Sequence, residues 1–384
     1  MRAISTLIFL LFSNFTFAQW VFKSDGLPAY SAMEGIVIGN PMYLSSIHHG
    51  VFQSVNKGDT WETCNAGLPT TNIRTITKSG LMYACTGGKG LYYYDTRSKT
   101  WFPDNKGIEN AWVYSHVSTS IGAYAGTDYG MFFQTAFLGS WVKIFDRYIN
   151  SLLSEGEKVY AGTNTGLYSK VSSSVDWSKE PGIAQTVNVT SLYKFKNKLW
   201  AGTDTGLFVL NPSETNWHMV YPLTKPYDAI TSLTGADKFL VVGTFYGLRI
   251  SSDEGLTWSD FNQNLSSSSN GSLSVDELYF YAGTYKDLGF ARRPLTELDL
   301  ISSLPSASKQ EDFKIINSGN KLLISLNNSE KGHISVWDLN NREVFRTALI
   351  SGDSTVSLKE LTAGIYILKI ITEDKLYSKK IFIE

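Results

Sequence analysis

The chain has 384 residues, and its 34 basic and 35 acidic side chains leave a net charge of −1. That balance excludes bulk nucleic-acid binding, which needs a basic surface to neutralise several phosphates. Apolar residues make up 43% and aromatics 14%, with 32 glycines, a composition that suits many short strands joined by tight turns.

The first residues read as an export signal. Arg2 gives a positive start, Ile4 to Phe12 form a short apolar run, and Thr16-Phe17-Ala18 precedes Gln19 as a cleavage site. The apolar run is too short for a stable membrane-spanning helix, and no later segment reaches the required length. Residues 1–18 are therefore expected to be a signal peptide, with no transmembrane segment once it is removed.

From Gln19 onward a repeat governs the chain. Segments such as Val159-Tyr160-Ala161-Gly162-Thr163-Asn164-Thr165-Gly166-Leu167-Tyr168 and Leu199-Trp200-Ala201-Gly202-Thr203-Asp204-Thr205-Gly206-Leu207-Phe208 recur along it. The second glycine falls at Gly50, Gly90, Gly130, Gly166, Gly206 and Gly247, and a weaker seventh copy has Asp287 there, at intervals of 40, 40, 36, 40, 41 and 40. Trp61, Trp101, Trp141, Trp177, Trp217 and Trp258 each follow their glycine by eleven residues. The seventh copy lacks such a Trp, but Trp20 leads into Gly26-Leu27-Pro28 just as Trp61 leads into Gly67-Leu68-Pro69.

Each repeat reads as four short strands, a sheet too small to bury both of its faces alone. In the second copy these are Ile73 to Thr77, Leu81 to Cys85, Leu91 to Asp95 and Trp101 to Pro103. The predicted fold is all-β: a seven-bladed β-propeller over 19–293, in which the strand at Trp20 completes the last blade. The seven Trp residues are expected to be core, packed between blades. Cys64 and Cys85 fall on adjacent repeats, which leaves open either a disulfide or two buried thiols.

Two turns carry more detail. Ser251-Ser252-Asp253-Glu254-Gly255-Leu256-Thr257-Trp258, and Ser54 to Trp61 with Asn56 at the Asp position, resemble the Asp-box of sialidase-like propellers. There the motif is a turn device lying away from the active face, so the resemblance implies fold rather than reaction. The Gly-Thr-x-x-Gly-Leu turns are also similar to those of bacterial sensor-type and photosystem-assembly-factor-like propellers. No recurring Trp-Asp dipeptide marks the Trp-Asp-repeat family.

Residues 294–312 break the period. Pro294, Ser302-Ser303 and Pro305-Ser306 read as a linker. Beyond it, six alternating strands from Lys321 to Ile383 predict a small antiparallel β-sandwich over 313–384. Ile334 to Leu339, the run Leu361-Thr362-Ala363-Gly364-Ile365-Tyr366 and the basic finish at Lys379-Lys380 make this region similar to the C-terminal sorting domain of type IX secretion substrates. That resemblance implies the type IX machinery as a partner and a secreted or cell-surface destination. The usual Tyr-Pro-Asn-Pro opening is replaced by Ile315 to Asn320.

Candidate binding residues lie on the upper face, built from second-to-third strand turns and inter-blade loops. The turns supply His48, His49, Lys89, Asp128, Tyr129, Asn164, Asp204, Phe245, Tyr246, Tyr285 and Lys286; the loops add Tyr30, Trp112, Tyr148 and Tyr227. Aromatic planes beside carboxylates and amides suit a glycan or protein ligand. A sialidase would need an arginine cluster; Arg74 and Arg147 could face the channel, but Arg249 lies on a third strand, so a three-arginine site is not expected. No nucleophile elbow, phosphate loop, zinc helix or other cofactor or metal motif is present, and His48-His49 reads as an exposed turn pair. The expected function is a secreted or cell-surface binding propeller without a cofactor; a carbohydrate-active hydrolase or lyase on the same face is the alternative, and a structural role in the envelope a third reading.

Overall fold

The computed structural model describes residues 19–298 except 30–31, 172–173, 175, 226–227, 266–269, 285–288 and 297, and then 313–318, 321–326, 332–337, 343–349, 353–358, 361, 364–372 and 376–383. The signal-peptide expectation and most of the predicted linker lie outside these residues. The chain divides into two compact units, Met1–Glu297 and Leu298–Glu384.

The first unit contains seven four-stranded antiparallel sheets, the blades of a propeller. Blade 1 runs Met33–Val37, Met42–Ser46, Gly50–Ser54 and Glu62–Thr63, from the innermost strand outward. Later blades repeat this order, with inner strands beginning at Ile73, Val113, Ile149, Val189, Ile230 and Asn270. Blade 7 holds Asn270–Val275, Tyr279–Thr284 and Phe290–Pro294, and its outermost strand is Val21–Phe22, paired as Val21↔Arg292 and Phe22↔Ala291. The predicted closure by the N-terminal strand is thus formed.

A relay of tryptophans ties blade to blade. The indole Nε1 of Trp61 donates to the Lys23 carbonyl (3.0 Å), that of Trp101 to Cys64 (2.7 Å) and that of Trp141 to Asp104 (2.8 Å). Each acceptor lies three residues beyond the preceding blade's Trp. The main-chain N–H groups of the same residues donate to Asp25, Ala66 and Lys106. Trp20 closes the circle by donating through Nε1 to Phe261 (2.7 Å) and through its N–H to Gln263. At Gly67 the close approach demands glycine: φ is +87° and a Cβ would sit 2.2 Å from the Trp101 carbonyl oxygen.

The expectation that all seven Trp residues are core needs correction at two. Trp20, Trp61, Trp101, Trp141 and Trp217 are buried, whereas Trp177 and Trp258 are half-buried. The stretch from Trp141 to the next inner strand is four residues shorter than its counterparts, so the turn that would receive Trp177 is lacking. Its Nε1 is buried without a partner, and its ring stacks on Phe145 at 5.2 Å. Before Trp258 the outer strand continues through His218–Pro222, and the Trp258 Nε1 donates to Gly255 of its own turn instead.

Cys64 and Cys85 are free, buried thiols. They belong to different hydrophobic clusters, one shared by blades 1 and 2 and the other by blades 2 and 3.

The two polar turns before Trp61 and Trp258 have the same bonding. Ser251 Oγ accepts from the Gly255 N–H (2.8 Å), and the Asp253 carboxylate accepts from the Thr257 N–H (2.8 Å) and hydroxyl (2.5 Å). In blade 1, Ser54 accepts from Gly58 (2.9 Å) and Asn56 accepts from the Thr60 N–H (2.9 Å). Burial works to raise the Asp253 carboxyl, but the bonds from Thr257 and Ser251 outweigh it and hold it below the ordinary carboxylate value. Its ionised form is therefore favoured by folding, and that contribution is lost as pH falls through the lowered value. Asp253→Ala is expected to cost about 1 kcal/mol in chemical denaturation, and Asp253→Asn less, because Asn56 already makes the equivalent turn.

The second unit, taken by itself, has two sheets. Phe313–Ser318, Lys321–Leu326 and Asp353–Ser357 form one; Glu343–Leu349, Gly332–Trp337, Gly364–Thr372 and Leu376–Ile383 form the other. The strand Phe313–Ser318 was not among the six expected; it pairs Ile315 with Ile324. Ile334, Val336, Tyr366 and Leu368 are buried on facing strands of the larger sheet. Among the described residues no helix is long and apolar enough to cross a membrane.

Candidate functional site at the channel mouth

All seven inner strands break register at the same place. The ladder skips one residue between Met33 and Gly35, Ile73 and Thr75, Val113 and Ser115, Ile149 and Ser151, Val189 and Ser191, Ile230 and Ser232, and Asn270 and Ser272. The skipped residues are Glu34, Arg74, Tyr114, Asn150, Thr190, Thr231 and Gly271. A bulge turns its residue out of the ladder and re-aims the side chain. All seven line one cavity of about 330 Å³, joined by Thr75 and Tyr148. One residue from every blade identifies this as the mouth of the central channel. It lies at the strand ends that carry the second-to-third strand turns, since Met33 pairs with Ser46 and Ser46 with Gly50.

The mouth is chemically lopsided. On blades 4 to 6 the polar groups are committed to the frame. Asn150 Nδ2 donates to Asn188 and to the Val189 carbonyl, Thr190 Oγ1 to the Gly202 and Ile230 carbonyls, and Thr231 Oγ1 to Gly243. On blades 1 to 3 a charged pair and aromatic rings gather instead. Arg74 Nη1 stands 3.8 Å from Glu34 Oε1, too long for a hydrogen bond, and its guanidinium lies 5.6 Å from the Tyr114 ring centroid. Tyr114 packs on Tyr148 at 5.1 Å. Burial, and then the Tyr114 hydroxyl, push the Tyr148 phenol well above its ordinary value, so it remains a neutral donor.

The residues singled out from sequence fall into three groups. Tyr148 lines the cavity. Asp128 and Asp204 clamp the turns: their carboxylates accept from the N–H groups of Trp112 (3.1 Å) and Asn188 (3.0 Å). Asp228, which sequence reasoning missed, does the same for Phe245 (3.1 Å), and Asn65 bonds both Val51 and His49. Trp112, Tyr129, Phe245, Tyr246, His48, Lys89 and Asn164 are exposed, with Tyr129 at 59%, and His49 is half-buried. Trp112 is on the loop between blades 2 and 3, and Phe245 and Tyr246 are on the turn of blade 6. Tyr30, Tyr227, Tyr285 and Lys286 lie outside the described residues.

The arginine cluster does not assemble. Arg147 sits over the Tyr168 ring at 5.9 Å and Arg249 pairs with Asp260 at 2.7 Å, so neither joins Arg74 in lining the mouth. No group of three or more His, Cys, Asp or Glu able to hold a metal occurs among the described residues. The larger grooves, of about 620 and 520 Å³, lie at the opposite strand ends between blades 1 and 2 and blades 4 and 5. They lack convergence from around the ring.

No curated protein matches the chain in sequence. Among solved structures it is similar to the extracellular domain of a protein described as the hybrid two component system BT4673 of B. thetaiotaomicron (TM-score 0.56, 16% identity, covering 92% of this chain and 57% of that one). It is also similar to PorZ of Porphyromonas gingivalis, described as an essential bacterial surface component of the type-IX secretion system (TM-score 0.54, 13% identity, 94% and 60%). YCF48 of Cyanidioschyzon merolae is a third (TM-score 0.54, 14% identity, 73% and 99%). The chain therefore spans 57% of the first of these and 60% of the second. At such identities the likeness concerns fold, and the fold is a propeller. Residues 318–384 match the family described as the secretion system C-terminal sorting domain. This is a type IX sorting tail, and the protein that carries it is secreted or held at the cell surface.

Proposed function

We propose that the protein is an exported binding propeller that recognises a glycan at the mouth of its central channel. The observation that carries this reading is the gathering of seven bulged residues around one polar cavity, with an ion pair and two tyrosines on one side. A cavity of about 330 Å³ is at the small end of ligand sites, the scale of one or two sugar rings rather than of a protein surface. Glu34 is the one carboxylate among its described lining residues, and glycosidases of the common kind use two. That favours binding over hydrolysis. The export signal at residues 1–18 and the reading of the two Ser-x-Asp/Asn-x-Gly-x-Thr-Trp turns as Asp-boxes belong to the same proposal. Those turns would be fold devices at the end remote from the mouth.

Affinity electrophoresis of the full chain through gels carrying neutral and acidic polysaccharides tests this. At least one polymer should retard the protein, and Arg74→Ala should remove the retardation without altering the melting temperature. Breakdown of the retarding polymer would assign a hydrolase or lyase instead. Retardation by none would leave a protein partner or a structural role.

A further inference from the structure

We infer that the ligand is a neutral sugar held through two adjacent hydroxyl groups, a vicinal diol, that bridges Glu34 and Arg74; this rests on the reading of the mouth as a glycan site. The first ground is the gap itself. At 3.8 Å these two atoms feel each other's charge without a hydrogen bond between them, so two adjacent hydroxyls can span the pair from the cavity side, one on each. A sugar hydroxyl is both donor and acceptor. One hydroxyl donates to a Glu34 carboxylate oxygen while its neighbour accepts from the Arg74 guanidinium. A carboxylate offers several acceptor positions and a guanidinium several donors, so bonds each already makes do not exhaust them.

The second ground is charge. Glu34 and Arg74 are the only formally charged groups among the described lining residues. They cancel, so the described lining carries no net charge with which to concentrate an anion or a cation. Ligand and side chains would meet through charge-assisted hydrogen bonds without a buried net charge.

Shape is the third. Blade 7 adjoins blade 1 on the other flank of Glu34, and its bulged residue is Gly271, which brings no side chain to that side of the mouth. On the opposite flank Tyr114 and Tyr148 form an aromatic wall suited to the C–H face of a sugar ring. The remaining bulged residues, Asn150, Thr190 and Thr231, are committed to the frame. Recognition is thereby confined to blades 1 to 3.

The test uses the full chain and whichever polysaccharide retards it, presented untreated and after periodate oxidation, which cleaves vicinal diols to dialdehydes, with borohydride then reducing those aldehydes to alcohols. Affinity should fall about tenfold or more on the treated polymer, the loss expected when buried polar groups are left unpaired. Glu34→Gln and Arg74→Met should each weaken binding to untreated polymer comparably, with melting unchanged. At about 1 M salt, where screening acts over about 3 Å, binding should persist. Equal retardation by treated polymer, retardation only by polymers lacking vicinal diols, or release by salt would overturn the diol and leave the glycan reading standing. No retardation by any polymer would remove both. The treated-polymer comparison needs no variant, so a misfolded mutant cannot decide the matter.

Discussion

Removal of residues 313–384 is expected to abolish delivery, leaving the propeller in the periplasm of a cell that would otherwise place it outside. The sorting-family match begins at residue 318, and the first strand of the second unit begins at Phe313. A cut before Phe313 therefore removes the tail whole and leaves no orphan strand from the pairing of Phe313–Ser318 with Lys321–Leu326. The blades make their own cores within the first unit, including the closing strand. The retained protein should accordingly stay folded and protease-resistant. Fractionation followed by immunoblotting decides the matter: the truncated chain should fractionate with periplasmic markers and the full chain with the surface or medium. Normal export of the truncated chain would refute the role assigned to the tail. Its degradation in place would instead show that the first unit depends on the second.

The largest single-residue loss of stability is expected at Trp101. Its ring is buried, it packs on Tyr94 at 4.9 Å, and both its indole and main-chain N–H groups reach back to the preceding blade. Truncation leaves a cavity between two sheets and a carbonyl at Cys64 without its donor. Trp101→Ala should cost about 3–5 kcal/mol, in the range of large-to-small core changes. Trp177→Ala serves as the internal comparison. That ring is half-buried and makes no indole bond, so its loss should be clearly smaller. Denaturant unfolding of the two variants measures the difference, provided each unfolds in one step. Equal losses would mean that the blade-to-blade relay adds nothing beyond apolar burial.

The number of blades and the closing strand were legible because each rests on residues whose type repeats, and the tail because Gly364-Ile365-Tyr366 and its flanks resemble a known sorting domain. Trp packs between sheets, and Gly67 is needed against a neighbouring carbonyl, so where these residue types recur their period and offset stand out. The mouth behaves in the opposite way. Its positions carry Glu34, Arg74, Tyr114, Asn150, Thr190, Thr231 and Gly271, seven places and six residue types. A search for recurring residue types passes over them. What is constant is their placement, sixteen residues before each repeat glycine or, in the seventh copy, before Asp287. That offset was available in the sequence; the bulge that makes it meaningful was not. Conversely, Asp128 and Asp204 drew notice as carboxylates on a binding face, whereas their hydrogen bonds show them serving the loops.

The bond from Trp20 to Phe261 spans 241 positions of sequence. Chain order and spatial order therefore part company at one seam. Six blades are built from contiguous stretches and can form by local hairpin pairing, whereas the seventh must recruit a strand from the opposite end of the polypeptide. Closing so long a loop carries an entropic cost that no nearby contact offsets beforehand. Ring closure is on this account the late event of folding, and blade 7 with an open edge is the species to be expected just before it. An unpaired edge is a template for pairing with another molecule. Arg292 at that edge reaches Asp59 of blade 1 at 3.0 Å, and Lys23 of the incoming strand reaches the same carboxylate at 2.8 Å. Asp59 thus draws both sides of the seam toward one point, so the seam that forms last is also the one with charges placed to guide it.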